Sequence, residues 1–429
     1  MPALRSLVAA LASLGASHAW AQGAPFPKAI DHVLQLRTMP QHQSNPGRLS
    51  DDDDRRRGSH ILVNSIGGAI TIPLLSNETR LELAGNLADA RYSGNSQLSH
   101  QPKTFNAGLP WRAGRLFTGR IDYSYSDRLY DYLDRVWPER DMVQRQRLQA
   151  QFGVRATENL TLPLVSVFQG RERYDVDINR TLYNSNETGW QAGFAYRGIR
   201  ESYYFGGFRQ SRVEYIDRTD AWRVQIDDAY RDNEIFLGGQ WDITAKTAFE
   251  ARVGVLRRSY ATLGERDTTL YSIDTRSTWN YSPKTRFDVY LYRRPYANND
   301  DPDILYSTLT GARFAVRWKA SPKTALWLNV AREEQDDTRI SGLQGDKSIW
   351  RFGSRLEWIA SSNVRVMLDG YRQREQGLNA ADSFSQNVVR LGLEFSTDSG
   401  SRAPYSLLDS SECFYRSVEY LLCDVQNAR

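Results

Sequence analysis

Along much of the chain, apolar and polar residues alternate one by one. In TRFDVYLYRR (Thr285–Arg294), Phe287, Val289 and Leu291 share one side, while Asp288, Tyr290, Tyr292 and Arg294 share the other. In GARFAVRWKA, Phe314, Val316 and Trp318 oppose Arg313, Arg317 and Lys319. After Thr324, Leu326, Leu328 and Val330 oppose Trp327, Asn329 and Glu333. A period of two is that of a strand, whose successive side chains point to opposite faces, and not that of a helix.

The strands meet at short tips. Ser-Pro-Lys-Thr occurs twice, at Ser282–Thr285 and Ser321–Thr324, each time between two alternating segments. Its proline presets φ for a tight turn and stands outside the ladder, where the missing N–H is harmless. Further tips are SNET (Ser76–Thr79), WRAG (Trp111–Gly114), ATENL (Ala156–Leu160), RGIRE (Arg197–Glu201), DITAKT (Asp242–Thr247) and ASSNV (Ala360–Val364). Their spacing of about 40 residues fits two long strands, one short turn and one longer loop. The longer connections are polar, as in DYLDRVWPERDM, RRPYANNDDPD and REQGLNAADSFSQ.

Short turns on one side and long loops on the other predict an all-β, transmembrane antiparallel meander barrel of the bacterial outer membrane. The tips are then periplasmic and the long loops extracellular. Seventeen strands can be placed from about Ile61 to Ser396. A periplasmic N-terminus asks for one more, within Ala29–Met39, giving about 18 strands, with 16 as the other even count considered. Propeller repeats have a similar period, but their blades hold four short strands and a recurring Trp-Asp or Gly-His signature, whereas Trp-Asp occurs here once, at Trp241-Asp242.

The N-terminus reads as a separate segment. Arg5 precedes a short apolar run from Leu7 to about Leu14, and Ala19-Trp20-Ala21 ends it, the form of a cleaved signal peptide over residues 1–21. Residues 22–58 are expected to form an N-terminal segment with the first strand and a polar loop, 59–396 the barrel, and 397–429 a periplasmic tail. Mean hydropathy is −0.58, yet the chain carries 23 Tyr, 16 Phe and 11 Trp. That combination excludes a helical membrane protein and suits a barrel with a polar lumen and aromatic girdles. Trp111, Tyr123, Tyr125, Trp190, Tyr196, Trp241, Trp279, Trp318, Trp350 and Trp358 are the girdle candidates. A net charge of +4 with both signs interleaved speaks against a nucleic-acid partner.

From Arg57 to about Asp217 the pattern resembles EpsL-like outer-membrane proteins of exopolysaccharide biosynthesis, the type associated with exosortase systems. The likeness is carried by RLEL, by NAGLPW followed by RLFTGRIDYSYSD, and by GWQAGFAYRG with YYFGGFRQSRVEYIDR. Two features depart from that family. A Tyr-Asp-rich first strand is missing near Leu34, and the chain continues for about thirty residues after its last strand. The resemblance implies a component of extracellular polysaccharide biosynthesis or export, with a polysaccharide and periplasmic export proteins as partners besides outer-membrane lipid. A general diffusion porin and a plugged scaffold barrel are the alternatives.

The polar side of the strands is rich in arginine. Arg147, Arg155, Arg252, Arg313, Arg317, Arg351, Arg355, Arg365 and Arg390, with Asp288, Glu357, Tyr290 and Tyr292, are the lumen-facing candidates. Asp122, Glu250, Asp369 and Glu394 lie among them. Such a lining either tunes the passage of an anionic or polyhydroxylated chain or pairs across strands to stiffen the wall. Asp288→Asn is expected to cost little. The Asp51–Arg57 run lacks the spacing of a calcium loop. No nucleophile–base grouping stands out, so the chain reads as a non-enzyme without a cofactor or metal. Cys413 and Cys423, both in the tail, are candidates for a disulfide in an oxidising compartment.

Overall fold

The computed structural model describes residues 30–398 apart from 77, 131–138, 199–201, 297–300, 343 and 378–382. The signal peptide, Cys413, Cys423 and the tail beyond 398 lie outside the described residues. Strands follow one another as β1 (Asp31–Gln43), β2 (Ser59–Ser76), β3 (Thr79–Tyr92), β4 (Lys103–Ala113), β5 (Phe117–Leu129) and β6 (Met142–Arg155). Then come β7 (Leu160–Tyr174), β8 (Ser185–Arg197), β9 (Tyr203–Tyr215), β10 (Ala229–Thr244), β11 (Thr247–Tyr260) and β12 (Thr268–Trp279). The series ends with β13 (Thr285–Tyr296), β14 (Ile304–Ser321), β15 (Thr324–Arg339), β16 (Gln344–Ile359), β17 (Val364–Gln376) and β18 (Phe384–Asp398). Each strand pairs antiparallel with its chain neighbours, and β1 closes the sheet against β18. The result is a closed 18-stranded meander barrel. Closure satisfies every edge, the condition for strands to stand in hydrocarbon.

Two boundaries differ from the sequence reading. The barrel begins at Asp31, not residue 59, because β1 supplies the strand that joins β2 to β18. It also runs two residues past Ser396: Thr397 and Asp398 pair with Leu34 and Val33, and the Leu34 N–H donates to Thr397 Oγ1 at 2.9 Å.

Links after even-numbered strands are the tight turns, and a hydroxyl builds several of them. Ser282 Oγ accepts the N–H of Lys284 at 3.2 Å and of Thr285 at 3.0 Å, and Ser321 Oγ accepts that of Lys323 at 3.2 Å. Thr157, Thr244 and Ser361 make the same bond to the residue two further on. This local capture of an N–H is why Ser-Pro-Lys-Thr recurs. The WRAG tip lies further on than the sequence suggested: β4 runs through Ala113, and Gly114, at φ +62°, makes the turn.

Apolar side chains point outward. Leu36, Leu62, Ile121, Leu148, Val167, Ile235, Leu237, Val253, Val289, Leu291, Leu328, Leu368, Leu391 and Leu393 are all exposed. Spread over the whole circumference, such a surface needs an apolar solvent. The girdle candidates all fall on this outer side. At the tight-turn end Trp111 lies near Phe152 (6.1 Å), Tyr204 near Trp241 (5.7 Å), and Trp279 near Phe287 (5.4 Å). Val289→Arg puts a charge on this face and is expected to cost about 2–4 kcal/mol. Denaturant unfolding of the vesicle-inserted barrel measures it, and an unchanged midpoint would mean that the faces are reversed.

Links after odd-numbered strands are mostly longer, the exception being the four residues between β15 and β16, where strand pairing extends into a segment rich in polar residues, and several of them are laced together. Two short helices, α1 (Asp177–Tyr183) and α2 (Asp220–Ile226), lie in the loops after β7 and β9. Buried Asp141 accepts the N–H groups of Asp175 and Val176 at 3.0 Å, and Asn179 Nδ2 at 2.6 Å. Arg218, also buried, donates to the carbonyls of Ile226, Asp227 and Leu182, so it ties the loop after β9 to the loop after β7. Arg266 reaches the carbonyls of Gln225 (2.8 Å) and Pro302 (3.2 Å). Asp227 sits at φ +65° and accepts the N–H groups of Asp228 (2.8 Å), Thr262 (2.6 Å) and Leu263 (2.9 Å).

Burial raises the pKa of Asp227, but those donors outweigh it and hold the carboxyl below its usual range. Its stabilising contribution is therefore full above the unfolded pKa of about 4 and is lost as pH falls through the folded value. Protease cutting of this loop should accelerate in acid in the native chain. In Asp227→Asn cutting should be fast already at neutral pH and less dependent on pH. Identical profiles for the two proteins would refute the latch.

Candidate functional site: the lumen wall

The inward side of the strands is rich in charged residues, and many of them pair with partners on the same strand or one or two strands away. On β10–β12, Arg252 meets Glu234 at 2.9 Å, both side chains only 7% exposed, with the guanidinium 4.5 Å from the Phe236 ring. Ser272 Oγ donates to the other oxygen of Glu234 at 3.3 Å, from two strands away. On β12–β15, Asp274 accepts Arg294 Nε at 2.8 Å and the Tyr290 hydroxyl at 2.9 Å, and the Tyr292 hydroxyl donates to Glu333 on β15. On β3–β5, Arg120 spans from Asp122 (2.6 Å) to Glu82 (3.0 Å). On β6–β9, Glu187 takes Arg147 at 3.1 Å and Arg209 at 3.2 Å, and both guanidiniums lie over the Phe168 ring.

These two-strand spans pass over inward glycines. A Cβ on Gly108 would meet Arg120 Nη2 at 2.8 Å and Glu82 Oε2 at 3.2 Å. One on Gly254 would meet Glu234 Oε1 at 2.5 Å and Ser272 Oγ at 2.7 Å, and one on Gly311 would enter the Tyr292 ring. The absent side chain is what lets polar groups on strands n and n+2 touch.

From β13 to β18 the balance changes. Cross-strand register aligns Arg286, Arg317, Trp327, Arg355, Asp369 and Arg390 in one inward row. Arg355 (3.1 Å) and Arg390 (3.3 Å) share the single carboxylate Asp369. Arg317 stacks 4.5 Å over the Trp327 ring and has no ion pair among the described residues. Two inward rows away, beyond Ala315, Asn329 and Gly353, Arg313 and Arg351 stand either side of Ala331, and Arg351 Nε donates to Gln373 at 3.2 Å. Arg365 bridges Glu357 (3.3 Å) and Glu394 (3.6 Å), and Arg37 also binds Glu394 at 2.7 Å.

The predicted set is thus distributed around the wall, and one member leaves it. Arg155 ends β6 and donates to the Glu158 carbonyl at 3.3 Å, so it belongs to a turn. The contacts of Asp288 raise the cost expected for Asp288→Asn above that read from the sequence. Asp288 accepts Arg286 at 2.7 Å and Thr278 Oγ1 at 2.7 Å, with Arg276 at 3.8 Å, and an amide forfeits the charged bonds. Glu82, Arg120, Glu187, Arg209, Glu234 and Asp274 were not singled out by the sequence reading. Their period-two placement was visible, but their partners depend on register.

No family model and no curated protein matches the chain. Among solved structures, Pseudomonas aeruginosa OccK9 (OpdG) is similar at TM-score 0.50 and 11% identity, over 87% of this chain and 100% of that one. P. aeruginosa OccK2 (OpdF) follows at 0.49 and 11%, over 87% and 99%. The ferric enterobactin receptor mutant R480A (PfeA) of the same organism stands at 0.44 and 7%, over 87% and 82%. At 11% identity the likeness to OccK9 shows the fold, the closed antiparallel barrel found in outer-membrane proteins.

Proposed function

We propose that the protein is an outer-membrane channel that passes small polar solutes and favours anionic ones. Its tight turns then face the periplasm and its laced loops the outside. Two physical facts support the reading. A barrel of 18 strands encloses more space than wall side chains can fill. The lining is charged, and the observation that carries the anionic preference is the arginine row on β13–β18, where Arg355 and Arg390 share Asp369. Excess fixed positive charge along a water-filled path lowers the barrier for anions.

In proteoliposome swelling, the barrel should admit small sugar acids faster than neutral sugars of equal size. No swelling with either, from folded protein, would overturn the proposal.

Passage of an extracellular polysaccharide, the role implied by the resemblance to EpsL-like proteins, is the second reading. What favours it is the inward pair Tyr290 and Tyr292, with ring centroids 5.1 Å apart, a surface of the kind on which sugar C–H faces pack. Under that reading, deletion of the gene abolishes surface polysaccharide and leaves sugar-nucleotide synthesis intact. Normal surface polysaccharide in the deletion strain would remove it.

A further inference from the structure

The outer face of the barrel changes character along its height. At the tight-turn end the apolar belt finishes in rings such as Trp279, Trp318 and Trp358. At the long-loop end it finishes in arginines: Arg257 stands two residues beyond Val255, and Arg332 two beyond Val330, on the same outward side. Register gathers these arginines into two clusters. On β9–β11, Arg212 lies directly opposite Arg231, and Arg257, opposite Asn233, is diagonal to Arg231. Glu214 pairs with Arg212 at 2.8 Å, while Arg231 and Arg257 have no ion pair among the described residues. On β15–β17, Arg332 and Arg374 flank Trp350 in one row, with Arg332 5.1 Å over the indole and paired with Glu334.

Like charges placed opposite one another on neighbouring strands are destabilising unless something compensates them. Among the described residues Glu214 and Glu334 offset one guanidinium in each cluster, which leaves Arg231, Arg257 and Arg374 to be compensated from outside the protein, at the level where hydrocarbon gives way to head groups. A planar guanidinium suits a phosphate, which it can grip with two parallel hydrogen bonds. The exposed Ile235, Leu237 and Val253 of the same strands lie on the belt side of the first cluster, where acyl chains attached to that phosphate would run.

We propose that these clusters bind the phosphates of lipid head groups in the leaflet at the long-loop end. The proposal rests on the outer-membrane placement argued above but not on transport, so a barrel that never conducts would leave it standing.

The test uses the full chain, purified in detergent and examined by native mass spectrometry with lipid A carrying its phosphates and with the same lipid after phosphatase treatment. The phosphorylated lipid should be retained at least tenfold better, and inorganic phosphate alone should not displace it. Arg212→Gln/Arg231→Gln/Arg257→Gln should lose most of the difference. A triple Lys246→Gln/Lys284→Gln/Lys323→Gln change at the opposite end should keep it. Equal retention of the two lipids by the native protein would overturn the proposal whether or not the arginine variant folds. A folded arginine variant with undiminished preference would do the same.

Discussion

Gly207→Val is expected to leave the chain unable to close its barrel, the largest single effect foreseen here. Gly207 on β9 lies directly opposite Gly193 on β8. A Cβ on Gly207 would stand 2.8 Å from Gly193 Cα and closer still to the Ala192 carbonyl oxygen. Those atoms are backbone and cannot rotate away, as the end of a side chain could. The sheet must then shift at this pair, and overpacking that moves backbone exceeds the usual cost of about 1–3 kcal/mol. Heat-modifiable migration on gels reads the outcome directly. Gly264→Val, whose Cβ would meet nothing within 4 Å, is the control and should fold normally. Equal folding of the two variants would show that the close strand approach is not required.

The second large effect is expected at the Arg252–Glu234 pair. Glu234→Leu removes the only carboxylate that Arg252 contacts among the described residues, leaving a cation at 7% exposure against the Phe236 ring. Breaking such a pair costs about 3–5 kcal/mol, whereas replacing both members by apolar groups of similar size is near neutral. Glu234→Leu should therefore lower the unfolding midpoint strongly, and Arg252→Met added to it should restore most of the loss. A double variant no better than the single would mean that the pair is not an isolated unit in the wall.

Much of this architecture was legible in the sequence because a barrel wall has one face in lipid and one in water. The Phe287/Val289/Leu291 alternation and the hydroxyl-bearing turns needed no partner to be recognised. β1 was faint for a physical reason: DHVLQLRTMPQHQ contains Pro40 and several polar residues, and it is held by its two neighbours rather than by its own pattern. Thr397 and Asp398 read as linker because small polar residues favour loops, yet pairing with β1 extends them. The ion pairs that skip a strand were hidden, since Arg120 finds Glu82 only when Gly108 falls between them in register. The loop arginines Arg218 and Arg266 were hidden as well, because their acceptors are carbonyls in distant loops that no sequence period marks.

Planar-bilayer recording across a potassium chloride gradient tests the central claim most directly. Stable single-channel openings are expected, with a reversal potential that shows anion preference. That potential should move toward cations in Arg317→Gln/Arg355→Gln/Arg390→Gln. A folded, inserted barrel that stays silent, or one whose reversal potential shows cation preference, would contradict it.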